Sequence, residues 1–481
     1  MVEKTNTLSS VAKNIFSGTV FKVSYLVLAL LSFNAYVFYL PAMKLFAWGV
    51  AIFGSANLIY RLINYKDYIK TPGLIFTTLF LASGLLTFMI NIGYNTYESA
   101  QGLTWTTLQL LMLYVISNEQ SVKEIEKEIK ILAVVFIAYT SIICMFGLYT
   151  VVTNYNEKIQ IAGKTIVRGF SGGRLWGMYT DPNYGAVSTV ISFILSLHLY
   201  QTVKKIFLKI ILISSLGLSF IYVVFSASRT GYICMMVAIV VYAILVSLKT
   251  DDSKKKRLKR ILSAILVAIF VSTVLLVGIL ITKGAYFKIA DFKVTHDNSL
   301  GQEYEQQEGK NSLRDMFPEG KDLSNGRIKI WKSAISFFKS SPVFGIDFRN
   351  IQAAAPDKAP ELFGPQGKQI RFDAFHNILI DILVSQGLVG LIIFLAFTVF
   401  VIIVFVRFYS NLNFEDTQSK RLFALIVSVL SGCLVSAMFL SDVLYVNTQN
   451  TVMFWIMLGY GMKMFSDDRK KGGLFEKERL K

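Results

Sequence analysis

Apolar runs of about 20 residues recur along almost the whole chain, and no water-soluble core can bury so many of them at once. Each is long enough to cross a hydrocarbon layer of about 30 Å at the 1.5 Å rise of an α-helix. With 54% of the 481 residues apolar, the pattern predicts an all-α, polytopic membrane protein. Reading the runs against the polar breaks places about twelve transmembrane helices near 20–40, 42–63, 72–93, 103–118, 129–152, 183–200, 206–225, 229–248, 261–282, 377–406, 420–440 and 443–465. Residues 1–19 are polar and lack an apolar segment followed by a small-residue cleavage site, so a retained N-terminus is expected rather than a signal peptide. The predicted organisation is therefore a cytoplasmic N-terminus (1–19), nine helices (20–282), a large extracytoplasmic loop (283–376), three further helices (377–465) and a basic tail (466–481).

The formal net charge is +18, which in a membrane protein is read by position before it is read as a partner signal. One set of breaks carries Arg61, Lys66 and Lys70, then Lys123, Lys127 and Lys130, then Lys204, Lys205 and Lys209, then the run from Lys254 to Arg260, and finally Arg469 to Lys471. The opposite breaks, such as 94–102, are nearly free of lysine, apart from long loops at 153–182 and 283–376. The positive-inside rule then makes both termini cytoplasmic and both long loops external. Topology and anionic lipid account for the basic surface, and no nucleic acid is required. Cys144, Cys234 and Cys433 lie inside apolar runs without metal-type spacing and are expected to be packing residues.

Three patterns on the predicted outer side carry chemistry. Arg174 to Asn183 (RLWGMYTDPN) ends in Asp181-Pro182-Asn183, which reads as a turn and helix cap, although a cap leaves Arg174 unexplained. In Ser226 to Gly231 (SASRTG), Arg229 stands at the membrane boundary, either snorkelling to anchor a helix end or binding an external anion such as a lipid diphosphate. His376-Asn377 closes the largest loop; the histidine is either a structural polar residue or a base for a sugar hydroxyl near neutral pH. Asp381, about one helical turn on, either orients that imidazole or makes a buried polar contact. Between these, Ser324 to Ser341 shows Ile328, Trp331, Ile335 and Phe338 at helical spacing, with Ser324 or Asn325 as a cap. That helix either packs within its loop or lies on the membrane surface. The stretch 295–310 is polar and aperiodic and is expected to be irregular. With no acidic or histidine cluster on the outer side, a site that uses neither a metal nor a cofactor is expected.

These residues resemble the O-antigen ligase and polysaccharide polymerase superfamily of bacterial membrane glycosyltransferases. The resemblance is carried by Arg174 to Asn183, Ser226 to Gly231, Gly326-Arg327 through Trp331, Ser341-Pro342-Val343-Phe344-Gly345, and His376-Asn377 with Gln386-Gly387-Leu388-Val389-Gly390. It implies a C-type (GT-C) enzyme of the bacterial plasma membrane that acts without metal and with inversion at the anomeric carbon. The implied donor is an undecaprenyl-diphosphate-linked oligosaccharide. On the matching positions it implies Arg174 and Arg229 as catalytic and diphosphate-binding residues and His376 as the catalytic residue facing the acceptor. Arg327, Asn377, Asp181 and Asn183 are implied as supporting substrate-binding residues. Membrane lipids, a glycan acceptor, and a chain-length regulator and flippase of the same pathway are the implied partners. The leading expectation is a polymerase of capsular, exopolysaccharide or O-antigen repeat units. A ligase that passes a finished glycan to a lipid, wall or protein acceptor is the alternative. A lipid-linked oligosaccharide transporter ranks below both, because the candidate residues cluster at one boundary and no internal repeat is visible.

Overall fold

The structure is a computed structural model and describes residues 17–161, 164–247, 254–299, 326–360, 374–411 and 417–479. Residues 1–16, Ser324, Asn325 and the part of the 295–310 stretch beyond Ser299 lie outside the described residues. The chain is mostly helical: α1 (Gly18–Ser32), α2 (Pro41–Ile63), α3 (Leu74–Ile90), α4 (Thr96–Thr107), α5 (Val122–Val152), α6 (Pro182–Thr202), α7 (Ile206–Ser226), α8 (Arg229–Ser247), α9 (Lys254–Ser299), α10 (Arg327–Ser340), α11 (Ile351–Lys358), α12 (Ile378–Asn411), α13 (Thr417–Ala437) and α14 (Gln449–Arg479). Among the described residues, seven helical segments are long and apolar enough to cross a membrane, namely α2, α5, α7, α8, Leu262–Gly284 of α9, Ile378–Ser410 of α12 and Gln418–Ala437 of α13. The apolar helices α1 and α3 are shorter.

Helices inside the bundle are less apolar than those at its edge. Along α6, Ser188, Thr189, Ser192 and Ser196 are buried, and Ser192 and Ser196 bond across to Thr140 on α5 (2.7 Å) and Ser215 on α7 (3.1 Å). Small hydroxyl residues let helices approach closely and bond to one another where lipid offers no competition. At the edge, large apolar side chains such as Leu45, Ile52 and Ile59 on α2 face outward, as a lipid-facing surface requires. The three cysteines are buried. A buried ion pair, Lys22 to Glu128 at 2.9 Å with Tyr460 bonded to the same carboxylate, ties α1 to α5 and α14. Helix α5 starts with a capping box, in which the Glu124 N–H bonds the Ser121 hydroxyl and the Ser121 N–H bonds the Glu124 carboxylate.

Three features depart from the sequence reading. First, the fold is not wholly α: the loop at 153–182 holds a three-stranded antiparallel sheet, β1 (Asn156–Ile161), β2 (Lys164–Ser171) and β3 (Arg174–Gly177), in the order β1-β2-β3. Its cause is legible afterwards. Exposed and half-buried residues alternate along β1, and Gly172 and Gly173, both at positive φ, close a two-residue turn between β2 and β3. Second, helix α1 stops at Ser32 instead of reaching 40, and Asn34 bridges to Tyr179 of the 153–182 segment. Third, α12 is broken at Gly387 (φ 64°, ψ −161°), and a segment from the large loop enters the break. Leu388 and Val389 N–H groups bond the carbonyls of Pro342 and Val343, while Ile346 and Asp347 N–H groups bond those of Val384 and Ser385. The backbone groups freed by the break are thus satisfied, which a break at membrane depth requires. A Cβ on Gly387 would sit 2.2 Å from the Val343 carbonyl oxygen, so only glycine fits. The motifs at 341–345 and 386–390 are the two halves of this junction.

Candidate functional site

The first half of the site is built where α6 and α8 begin side by side. Asp181 caps α6, its carboxylate accepting from the N–H groups of Asn183 (2.7 Å) and Tyr184 (3.3 Å), and Pro182 occupies the first turn. Between α7 and α8 the chain turns through Ala227 at φ 47°, and the Ser228 hydroxyl accepts from the Gly231 N–H at 3.1 Å, holding the start of α8. Gly231 faces Ala186 so closely that a Cβ would lie 2.6 Å from the alanine methyl. That approach sets the two N-termini beside each other. The positive ends of two helix dipoles make such a place suited to an anion.

Arg174, the first residue of β3, ties these pieces together: Nε donates to the Ser226 carbonyl (2.9 Å) and Nη2 to Asn183 Oδ1 (2.8 Å), which also accepts from the Ser228 hydroxyl (3.0 Å). Arg229 is the first residue of α8 and Arg327 the first of α10. The Arg327 guanidinium lies over the Phe439 ring, 5.7 Å from its centroid. Burial, and then the charge of Arg229, lower the Arg327 pKa, while Asp181 and Tyr184 act the other way. Arg229, Arg327 and Asp181 therefore share one electrostatic environment.

The second half surrounds His376, which is half-buried and held at φ 53°, an uncommon conformation for a residue with a side chain. Its neighbours hold it there. The Phe375 N–H donates to Asp381 Oδ1 (2.8 Å), and the Phe375 carbonyl accepts from Trp331 Nε1 on α10 (2.9 Å). Asn377 caps α12, accepting from the Leu379 and Ile380 N–H groups, and its amide donates to the Met438 carbonyl at 3.2 Å. Asp381 uses its other oxygen to accept from the Ser441 hydroxyl at 3.0 Å. Of the two readings of Asp381, the buried polar contact fits: the carboxylate braces the backbone before His376. In α10 the inward face is Ala334 and Phe337, the latter edge-on to Phe375, whereas Ile328 and Ile335 are exposed. The helix packs against α11 and α12 on a face offset from the predicted stripe, and leaves Ile328 and Ile335 outward.

Residues 438–448, which the sequence reading divided between two transmembrane runs, join the halves. Met438 is held by Asn377, Phe439 lies under Arg327, and Ser441 bonds Asp381. At the centre, buried Asp442 accepts from Ser436, Thr448 (2.7 Å) and Asn450 (3.2 Å). Burial holds its carboxyl above the ordinary carboxylate range. The missed signal was the polar content of Ser441-Asp442 and Asn447 to Thr451, costly in a lipid-facing helix. Sequence reasoning also missed Asp347 and Arg349, the charged residues of a small, mostly apolar cavity beside the α12 break that Ser385, Gln386 and Tyr445 also line. Among the described residues, no group of three or more His, Cys, Asp or Glu side chains is placed to hold a metal ion.

A family model described as O-antigen ligase matches residues 212–395 of the chain. The match takes in Arg229, Arg327, His376 and the α12 break, and ends before the 438–448 segment. Among curated proteins, none matches.

Proposed function

We propose that the chain is a membrane glycosyltransferase of the O-antigen ligase and polymerase superfamily, a reading supported by the O-antigen ligase family model that matches residues 212–395, and that it polymerises undecaprenyl-diphosphate-linked oligosaccharides on the outer face of a bacterial plasma membrane. Under this reading about twelve helices span the bilayer, both termini are cytoplasmic, and the sheet, α10, α11 and the 438–448 segment form the outer cap. The observation that supports it most is the meeting of two helix N-termini with Arg174, Arg229 and Arg327 beside the braced His376 turn.

In the proposed reaction an acceptor sugar hydroxyl attacks the anomeric carbon of the donor. The new carbon–oxygen bond forms as the bond to the diphosphate oxygen breaks, with inversion. The departing diphosphate gathers negative charge, which Arg229, Arg327 and the N-termini of α6 and α8 stabilise. Arg174, bonded to Ser226 and Asn183, fixes these groups relative to one another and adds its own charge. The His376 imidazole takes the proton lost by the acceptor hydroxyl. No step calls for a metal ion.

The test is purified full-length protein in lipid with lipid-linked repeat units as sole substrate, read on a gel. A ladder of longer products, insensitive to chelator and lost in His376→Ala, is the expected result. Transfer only after a non-repeat acceptor is supplied would instead make the protein a ligase. No transfer to any acceptor would overturn the enzymatic reading.

A further inference from the structure

At the far end of α6 from Asp181 lies a second polar site. His198 is sixteen residues beyond Pro182, so the rise of the helix puts it about 24 Å away along the axis. It lines a cavity of about 310 Å³ together with Lys130 on α5, Gln201 on α6, and Gln418 and Arg421 on α13. That volume has room for roughly ten water molecules. The cavity opens outward past Lys130 and Gln418, both exposed.

The chemistry of the lining is one-sided. Lys130 and Arg421 line the cavity with the imidazole, each acting on His198 by its charge, and neither makes an ion pair among the described residues. The one carboxylate in the lining, Glu126, accepts a hydrogen bond from Gln418. His198 is only 8% exposed, yet its Nδ1 is buried without a hydrogen-bond partner among the described residues. A buried polar atom left unpaired beside two unpaired cations costs stability unless something enters to meet it. A phosphate oxygen would accept from both cations and from the imidazole, and Gln201 supplies a further donor.

We propose that this cavity is a binding site for a phosphate-bearing anion, separate from the candidate site and at the opposite end of the bundle. Under the topology given above it lies at the cytoplasmic surface. There an anionic phospholipid headgroup of the inner leaflet or a free cytosolic phosphate would reach it, and the two share the recognising chemistry.

The experiment uses delipidated full-length protein in neutral detergent and follows the melting temperature. Phosphatidylglycerol is titrated against phosphatidylcholine in one arm, and sodium phosphate against sodium chloride of equal ionic strength in the other. A saturable rise of about 3 °C is expected in at least one arm. It should be lost in the double variant Lys130→Gln/Arg421→Gln and kept in Lys204→Gln/Lys205→Gln, whose lysines lie outside the cavity. A rise with phosphatidylglycerol alone identifies a lipid site, and a rise with inorganic phosphate a soluble-anion site. His198→Gln, which leaves both cations in place, is the second variant and should halve the rise or more, so the proposal stays testable if the double variant does not fold. No saturable rise in either arm, or a full rise in the cavity variants, would overturn it.

Discussion

Asp381 separates two ideas about how the histidine turn works, and the structure assigns a size to each. If the carboxylate oriented the imidazole through its charge, Asp381→Asn would disable the site. Its oxygens instead meet the Phe375 N–H and the Ser441 hydroxyl. An asparagine can accept from the former through its carbonyl and donate to the latter through its amide, because a serine hydroxyl can turn to accept. Asp381→Asn should therefore keep transfer within about threefold of wild type and keep its pH profile. Asp381→Ala leaves the Phe375 N–H, in a fully buried residue, without its acceptor, and strips Ser441 of its partner as well. Each such loss costs about 1–3 kcal/mol, so a total on the order of 3 kcal/mol of stability is expected.

The catalytic loss in Asp381→Ala follows from position. His376 sits at φ 53° only because Phe375 and Asn377 are tied down on either side. Freeing one tie lets the imidazole drift, and displacement of about 1 Å at a reacting group costs on the order of 100-fold in rate. The assay is glycosyl transfer at matched protein levels, with melting temperature and the pH dependence of kcat/KM recorded for both variants. An asparagine variant as inactive as the alanine one, with its acidic limb displaced, would refute the bracing role and restore a direct carboxylate–imidazole pairing.

Arg229→Lys exchanges a planar fork for a point charge at the start of α8 and should lower kcat/KM at least tenfold without changing the melting temperature; near wild-type activity would mean that the residue only anchors the helix. Gly387→Ala places a methyl 2.2 Å from the Val343 oxygen at a φ of +64°, so a loss of more than about 3 kcal/mol is expected, read as a lower melting temperature and early proteolysis in the 342–347 segment. Asp347, beside the α12 break, has its carboxyl pushed up to about 6 by burial. The folded protein thus holds a proton that the unfolded chain has released, and stability should rise as pH falls from about 6 towards 4, by on the order of 3 kcal/mol. Asp347→Asn should flatten that slope in denaturation followed between pH 7 and 4; an unchanged slope would assign it to another group.

Much of the fold could be read because lipid imposes one rule, that backbone groups be satisfied internally, and long apolar runs announce helices that obey it. The rule is silent where backbone pairs with distant backbone. Nothing local in Pro342 to Asp347 reveals that its amides and carbonyls complete α12, forty residues later, though Gly345 and Gly387 mark the two sides of the approach. The sheet was hidden for a different reason, since a short alternation of Lys, Ile and Gln has little weight against apolar runs several times its length. At the candidate site, Arg229 stood out as a costly residue at a membrane boundary, Arg174 as a charge its helix cap leaves unexplained and His376 as an imidazole closing the largest loop, whereas Arg327 came from the family resemblance alone. Asp442 did not stand out, because it fell in the two-residue break between the runs 420–440 and 443–465 and read as part of a short turn.

Asp442 also explains why the two halves of the site stay in register. The arginines belong to β3, α8 and α10, the histidine to the turn before α12, and apart from the α10 contact between Trp331 and Phe375 each half is fastened to 438–448. A segment without regular structure can serve as that common frame only if its own polar groups are met. Asp442 does this by gathering Ser436, Thr448 and Asn450, while Trp455 of α14 bonds the Val443 carbonyl at 2.7 Å. Positive φ values at Val443 and Tyr445 show the conformational cost of the path it takes. A buried carboxylate bonded through both of its oxygens helps offset that cost and rigidifies what it touches. Positioning in this protein therefore resides largely in the segment between α13 and α14, to which Arg327 on one side and the turn that carries His376 on the other are tied.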